Sequence, residues 1–115
     1  MTSDAQFEVM ASEQPGVAVL AARGEIDVAS APEFQASLSE LIQEGPSILV
    51  VDTSEVSFID STGLGVLIGA EKQLRSDGRH LRLVVTQPQI TRLLELTGLN
   101  EVFTVMATTN DAGRP

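Results

Sequence analysis

Four consecutive apolar residues, Ile48-Leu49-Val50-Val51, constrain this chain more than any other feature of its 115 residues. A strand with one wet face alternates apolar and polar residues. A strand without a polar side is buried on both faces, which requires a layered fold with helices packed on a sheet. The flanks of the run supply those helices. Upstream, Phe34, Leu38, Leu41 and Ile42 recur at i, i+4, i+7 and i+8, forming the apolar stripe of an amphipathic helix. Ser30-Ala31-Pro32-Glu33 predicts where it begins, with Ser30 as N-cap, Pro32 in the first turn and Glu33 as capping-box partner. Gly45-Pro46 stops it. Downstream, Leu64, Leu67, Ile68 and Leu74 predict a second helix from about Thr62 to Arg75, its apolar face widened by Val66 and Ala70. A strand placed between two helices in this way belongs to a parallel βαβ arrangement.

The remaining elements extend that pattern. Gln6 to Ser12 alternates roughly and reads as an edge strand, and Pro15-Gly16 turns the chain into a second strand over Val17 to Ala22. Gly24-Glu25-Ile26-Asp27 reads as a loop, and so does Asp52 to Phe58. Leu81 to Val85 is a further strand. Thr86-Gln87-Pro88 opens a third helix with Ile90, Leu93 and Leu94 inward, and Gly98 sits where a left-handed C-terminal cap is wanted. Val102 to Met106 reads as a last strand, and residues 107–115 have the composition of a frayed, flexible tail. The expected fold is therefore α/β, a mixed sheet of about five strands in ββαβαβαβ order with helices packed on it. The whole chain, 1–115, reads as one domain with its core over about residues 6–106.

Composition excludes several functions. The chain has no Cys and one His, His80, so neither disulfides nor thiolate metal sites are expected, and no stretch has the spacing of a calcium loop. Neither a metal nor a cofactor is expected. A nucleophilic triad of Ser61, His80 and Asp60 would require a turn histidine to meet the start of a helix, so no catalytic residue is assigned. Gly63, Gly65 and Gly69 miss the dinucleotide fingerprint, because the third glycine falls one residue late, and no Lys follows as in a phosphate-binding loop. Gly65 and Gly69, four apart on one helix, instead leave a groove that another backbone could approach closely. The net charge is −9, and its distribution is uneven. Residues 1–71 hold one basic residue, Arg23, against twelve acidic ones, whereas 72–115 hold six basic and four acidic. Such a chain is repelled by nucleic acid and by anionic lipid. The acidic half suits either plain solubility or a basic protein partner. The N-terminal residues lack a basic, apolar leader and no run is long enough to span a membrane, so a cytoplasmic protein is expected.

One segment keeps a chemical possibility: Asp60-Ser61-Thr62-Gly63-Leu64, at the start of the second helix. Ser and Asp are good N-caps, each contributing about 1 kcal/mol. The same geometry suits a regulated hydroxyl. A phosphate on Ser61 would meet free N–H groups and the positive end of the helix dipole, and would add about −1.5 to −2 charges beside Asp60.

The stretch from Val56 through Ile59-Asp60-Ser61-Thr62-Gly63-Leu64-Gly65 to Val66 resembles the signature of STAS-domain anti-sigma-factor antagonists. Gly24-Glu25-Ile26-Asp27 resembles that family's other loop, and Leu96-Thr97-Gly98-Leu99 its later helix end; the likeness spans about residues 6–106. The resemblance implies a binding protein and not an enzyme. In its unphosphorylated form it would bind an anti-sigma factor that is also a serine/threonine kinase, releasing the sigma factor. Phosphorylation at Ser61 would end that binding, and a phosphatase would reset it. By position, Ser61 is the implied phosphoacceptor, with Asp27, Asp60, Thr62 and Gly63 as implied partner-binding residues. A further helix is implied at the C-terminal end, and Thr109-Asn110-Asp111-Ala112 could begin one. The alternative role for the same fold is an accessory subunit of a membrane transport complex, with Ser61 and Thr62 serving as cap and contact surface.

Overall fold

The computed structural model describes residues 5–113. Five strands, β1 (Gln6–Met10), β2 (Val17–Ile26), β3 (Ile48–Ile59), β4 (His80–Val84) and β5 (Thr104–Met106), form one sheet whose spatial order equals their sequence order. β1 runs antiparallel to β2, and every other neighbouring pair is parallel. Helices α1 (Ala31–Gln43), α2 (Ser61–Ser76) and α3 (Pro88–Thr97) make the crossovers. Each crossover steps one strand along in the same direction. Right-handed connections therefore place all three helices on one face.

The two faces have different cores. On the helical face, Leu20, Leu49, Val51, Leu81 and Leu83 of the strands pack with Phe34, Leu38, Leu67, Leu74 and Leu94. On the other, Val19, Ile48, Val50 and Val84 gather around Ala112. All four residues of the Ile48–Val51 run are buried, as a strand covered on both sides requires. The α1 stripe of Phe34, Leu38, Leu41 and Ile42 is buried as its spacing predicts. The ring of Phe7 on β1 stacks on Phe34 at a centroid distance of 4.9 Å, tying the edge strand to α1. Replacing such a core residue, as in Leu38→Ala, is expected to cost about 2–5 kcal/mol. Gly98 takes φ +76°, the left-handed cap expected of it, and Leu99–Glu101 follow as a single 3-10 turn. Val102 caps that turn, so the last strand, expected over Val102 to Met106, shortens to Thr104–Met106.

Two expected loops are strand. Gly24–Ile26 continues β2, and Asp52–Ile59 continues β3, each pairing with the other from Arg23↔Glu55 to Ile26↔Ile59. Two register shifts, between Ala21 and Arg23 and between Gly24 and Glu25, insert extra β3 residues. Burial along this stretch then falls on Thr53, Val56 and Ile59, with no period-2 alternation for the eye to find. β4 pairs with β3 only as far as Asp52. β1 pairs with β2 as far as Arg23, and beyond Arg23 and Glu55 β2 and β3 project as a two-stranded ribbon. The hydroxyl of buried Thr53 donates to Val84 O at 2.7 Å and the Gln87 amide donates to Ser54 O at 2.7 Å, closing the gap where β4 stops.

The expected frayed tail is also corrected over four residues. Thr109–Ala112 forms a short helix, α4, capped by Thr108, whose side chain accepts from Asp111 N at 3.1 Å. Ala112 is buried on the sheet face opposite the other helices, and Arg82 Nη1 donates to its carbonyl at 3.1 Å. Thr109–Ala112 are the four residues at which the resemblance allowed a further helix to begin, although four residues carry no periodicity of their own. The remaining tail residues 114–115, like residues 1–4, lie outside the described residues.

Candidate functional site

The β2–β3 ribbon carries the candidate residues to one end of the sheet. There the chain leaves β2 at Ile26 and β3 at Ile59, and the Asp60 N–H donates to Ile26 O at 3.1 Å, stitching the two exits together. Asp27 and Asp60–Gly63 therefore converge although 33 residues of sequence separate the two aspartates.

The second exit leads straight into a helix. Asp60 is the N-cap of α2, with extended backbone at φ −102° and ψ −175°. Its Oδ1 accepts the Gly63 N–H at 3.0 Å and its carbonyl accepts the Leu64 N–H at 3.0 Å. Ser61 is thus the first residue of the helix and not a loop residue. Ser61 and Thr62 are both exposed, and neither their hydroxyls nor their N–H groups have a hydrogen-bond partner among the described residues. Capping is complete without Ser61. Its hydroxyl and the unpaired N–H groups at the positive end of a 16-residue helix are all open to solvent.

Gly63 explains why the helix can lie so close to the ribbon. A Cβ at this position would stand 2.7 Å from Ile26 Cγ2 and 2.8 Å from Ile59 Cγ1. Only a residue without a side chain lets α2 seat against both strand ends. Gly65 and Gly69 differ, since an added Cβ would meet nothing within 4 Å. They floor a groove of about 330 Å³ between α1 and α2, bordered by Gln35, Ser39, Thr62 and Gln73. The open approach expected above these two glycines is present, and it begins at Thr62, beside Ser61.

The first exit is built differently. Asp27 Oδ1 accepts the N–H groups of Ala29 at 3.0 Å and Ser30 at 3.1 Å, and its carbonyl accepts that of Ala31 at 2.8 Å. Ser30 is the N-cap by position but makes no side-chain cap bond, so the expected capping box with Glu33 does not form. Its hydroxyl points back, donating to Glu25 O at 2.9 Å and accepting the Asp27 N–H at 3.0 Å. Asp27 thus holds its own loop first, and any contact with a partner is made from that fixed, half-buried position.

Nothing here is arranged for catalysis by histidine. His80 begins β4 opposite Ile48, at the far end of the strand that delivers Ser61. The described residues contain no cluster of three His, Cys, Asp or Glu side chains able to hold a metal ion. No helix among them is long and apolar enough to cross a membrane. The one basic residue of the first 71, Arg23, lies between Glu8 and Glu55 at 3.6 and 3.0 Å. Sequence reasoning missed two residues at this end, Val28 and Phe58, both apolar and exposed. Neither belongs to a motif of charged or hydroxyl residues, and only the three-dimensional placement marks them.

Residues 8–112 match the STAS domain family model. The anti-sigma-B factor antagonist of Staphylococcus aureus is 37% identical over 82 residues, covering 71% of this chain and 76% of the relative. The protein of the same description from Bacillus subtilis is 37% identical over 84 residues, covering 73% and 76%. The crystal structure of an anti-sigma factor antagonist from Mycobacterium paratuberculosis superposes with a TM-score of 0.86 at 29% identity, covering 97% of this chain and 95% of that one. This chain therefore belongs to the STAS-domain family, with anti-sigma factor antagonists among its similar relatives.

Proposed function

We propose that this protein is an anti-sigma factor antagonist: unphosphorylated, it binds an anti-sigma factor serine kinase in the cytoplasm and frees the sigma factor, and phosphorylation at Ser61 ends the binding. The observation that carries this reading is the state of Ser61. Its hydroxyl is exposed and unbonded at the head of a helix already capped by Asp60. A kinase can reach it without unfolding anything, and the fold keeps its shape once the phosphate is on. The relatives described as anti-sigma factor antagonists support the choice of partner.

The physics of the switch follows from charge. The phosphate adds about −1.5 to −2 charges, next to Asp60 and across from Asp27. Unpaired N–H groups at the helix start accommodate it within the molecule. Toward a partner that has matched the unmodified surface, the added charge is a mismatch, and like-charge juxtaposition costs several kcal/mol. Asp27, Asp60, Thr62 and Gly63 frame the contact: the two aspartates hold the loops, Thr62 opens onto the groove, and Gly63 seats the helix. The chain supplies no catalytic group of its own. ATP and the transfer chemistry belong to the kinase, and a separate phosphatase removes the phosphate.

The test is a binding assay with the anti-sigma factor kinase and adenine nucleotide, using wild type, Ser61→Ala and Ser61→Glu. Wild type and Ser61→Ala bind, only wild type is phosphorylated and released by ATP, and Ser61→Glu fails to bind. Retention of the kinase by Ser61→Glu contradicts the proposal.

A further inference from the structure

We infer that Val28 and Phe58 are the apolar anchors of the surface around Ser61, and that the protein partner meets them with an apolar recess rimmed by Lys and Arg side chains. This inference rests on the proposed function and adds to it the residues that supply affinity and the chemistry of the complementary surface.

The chain has four phenylalanines. Phe34 and Phe103 are buried and Phe7 stacks on Phe34, so three of the four serve the core. Phe58 does not: it is 49% exposed. It precedes Ile59 on β3 and pairs in register with Glu25 on β2, while the next pair, Ile26 and Ile59, is buried. Phe58 therefore stands on the face of the ribbon away from the helices. Among the described residues, the only helix on that face, α4, packs on Val19, Ile48, Val50 and Val84, well before the ribbon begins. Val28 is 72% exposed, in the loop after Ile26. That loop is held by four hydrogen bonds at Asp27 and Ser30, so the Val28 side chain is displayed from a fixed backbone. Anchors that are already rigid lose little freedom on binding.

Charge selects the occupant. Glu25 pairs with Phe58 across the ribbon, Asp27 adjoins Val28, and Glu55 and Asp60 flank Phe58 within three residues, while the nearest cation in sequence, Arg23, is already paired with Glu8 and Glu55. A second copy of a chain with net charge −9 would bring the same acidic rim to the contact and be repelled. An anionic lipid surface is repelled for the same reason. A protein surface with an apolar centre and a basic rim is attracted to this rim and buries both anchors. Its approach brings basic groups to the Ser61 hydroxyl, which is where a new phosphate would disturb the fit. Aromatic anchors at the centre of an interface, ringed by polar groups, are where binding energy concentrates.

The experiment measures the affinity of the purified kinase that phosphorylates Ser61 for a set of full-length variants, each checked by circular dichroism and thermal melting. Phe58→Ala is expected to weaken binding about tenfold or more, as truncation of a central aromatic anchor does, and Val28→Ala less but measurably. Phe58→Thr, whose β-branched side chain suits a strand, reports the same loss if Phe58→Ala melts early. Leu96→Ala is the control, because Leu96 is 73% exposed on α3, away from the ribbon, and its loss leaves affinity within about twofold. Raising the salt concentration weakens wild type and Phe58→Ala by similar factors, since the rim is intact in both. If Phe58→Thr and Val28→Ala bind as wild type while Ser61→Glu does not, the anchors are wrong and the switch stands. If Ser61→Glu binds, or no kinase modifies Ser61, the proposed function itself fails.

Discussion

Ser30 and Ser61 occupy corresponding places in this molecule, each at the head of a helix that follows a parallel strand, and they could hardly be used more differently. Ser30 is 1% exposed, and its hydroxyl both donates to Glu25 O and accepts from Asp27 N. Ser61 is exposed and its hydroxyl has no hydrogen-bond partner among the described residues. The difference comes from which aspartate does the capping and from where. At the second helix Asp60 is the N-cap itself, one residue before Ser61, and reaches Gly63 N. At the first, Asp27 stands three residues before the N-cap, and the loop folds over Ser30 to let its carboxylate reach Ala29 N and Ser30 N. One residue type in one topological position thus becomes a structural pin when the cap lies upstream and a free handle when the cap lies next door. The proposed phosphoacceptor is the serine whose removal changes the fold least.

That contrast can be broken by experiment, beginning with the largest expected effect. Ser30→Glu places a carboxylate where a buried, doubly bonded hydroxyl sits, and is expected to unfold the α1 end or the whole domain in a thermal melt, because an unpaired buried charge costs several kcal/mol. Ser61→Glu is expected to leave the melt nearly unchanged. Equal melting of the two variants would erase the distinction drawn here. Next, Ser30→Ala is expected to cost about 1–3 kcal/mol by chemical denaturation, since it strands the Asp27 N–H, and Ser61→Ala less than about 0.5 kcal/mol.

The glycines offer a matched comparison on one helix. Gly63→Ala drives a methyl into Ile26 and Ile59 and is expected to destabilise by about 1–3 kcal/mol in spite of the better helix propensity of Ala. Gly65→Ala meets nothing within 4 Å and is expected to stabilise by about 0.5–1 kcal/mol. Opposite signs two residues apart would confirm that Gly63 is fixed by internal packing and Gly65 is not. Smaller again, Asp60→Ala removes the α2 cap and is expected to lower stability by about 1 kcal/mol, read by the same denaturation.

How far these features could be seen in the sequence depended on whether their cause was local. The α1 stripe, the doubly buried run at Ile48–Val51 and the cap at Gly98 each follow from residues within one or two turns of each other, and each appears where expected. Asp60–Gly63 was legible for the same reason, as one contiguous capped helix start. The β2–β3 ribbon was not, because Gly24–Ile26 and Asp52–Ile59 are strand only by virtue of pairing with each other. The bulges that permit the pairing also scramble the alternation. Thr53 looks like a loop threonine until β4 ends beside it and offers Val84 O. Ser30 carries every local mark of a capping box, yet Asp27 takes the Ser30 N–H that Glu33 would have accepted, and the Ser30 hydroxyl turns back to Glu25 O. Val28 and Phe58 are ordinary apolar residues until the sheet shows how far they are exposed.

The most direct test of the central claim is the affinity of the anti-sigma factor kinase for this protein carrying one phosphate on Ser61, measured against the unmodified protein in the same buffer. The account predicts a loss of about a hundredfold or more, the equivalent of about 2.7 kcal/mol, with a thermal melt that barely moves. Equal affinity for the two forms, or a loss accompanied by unfolding of α2, would contradict it.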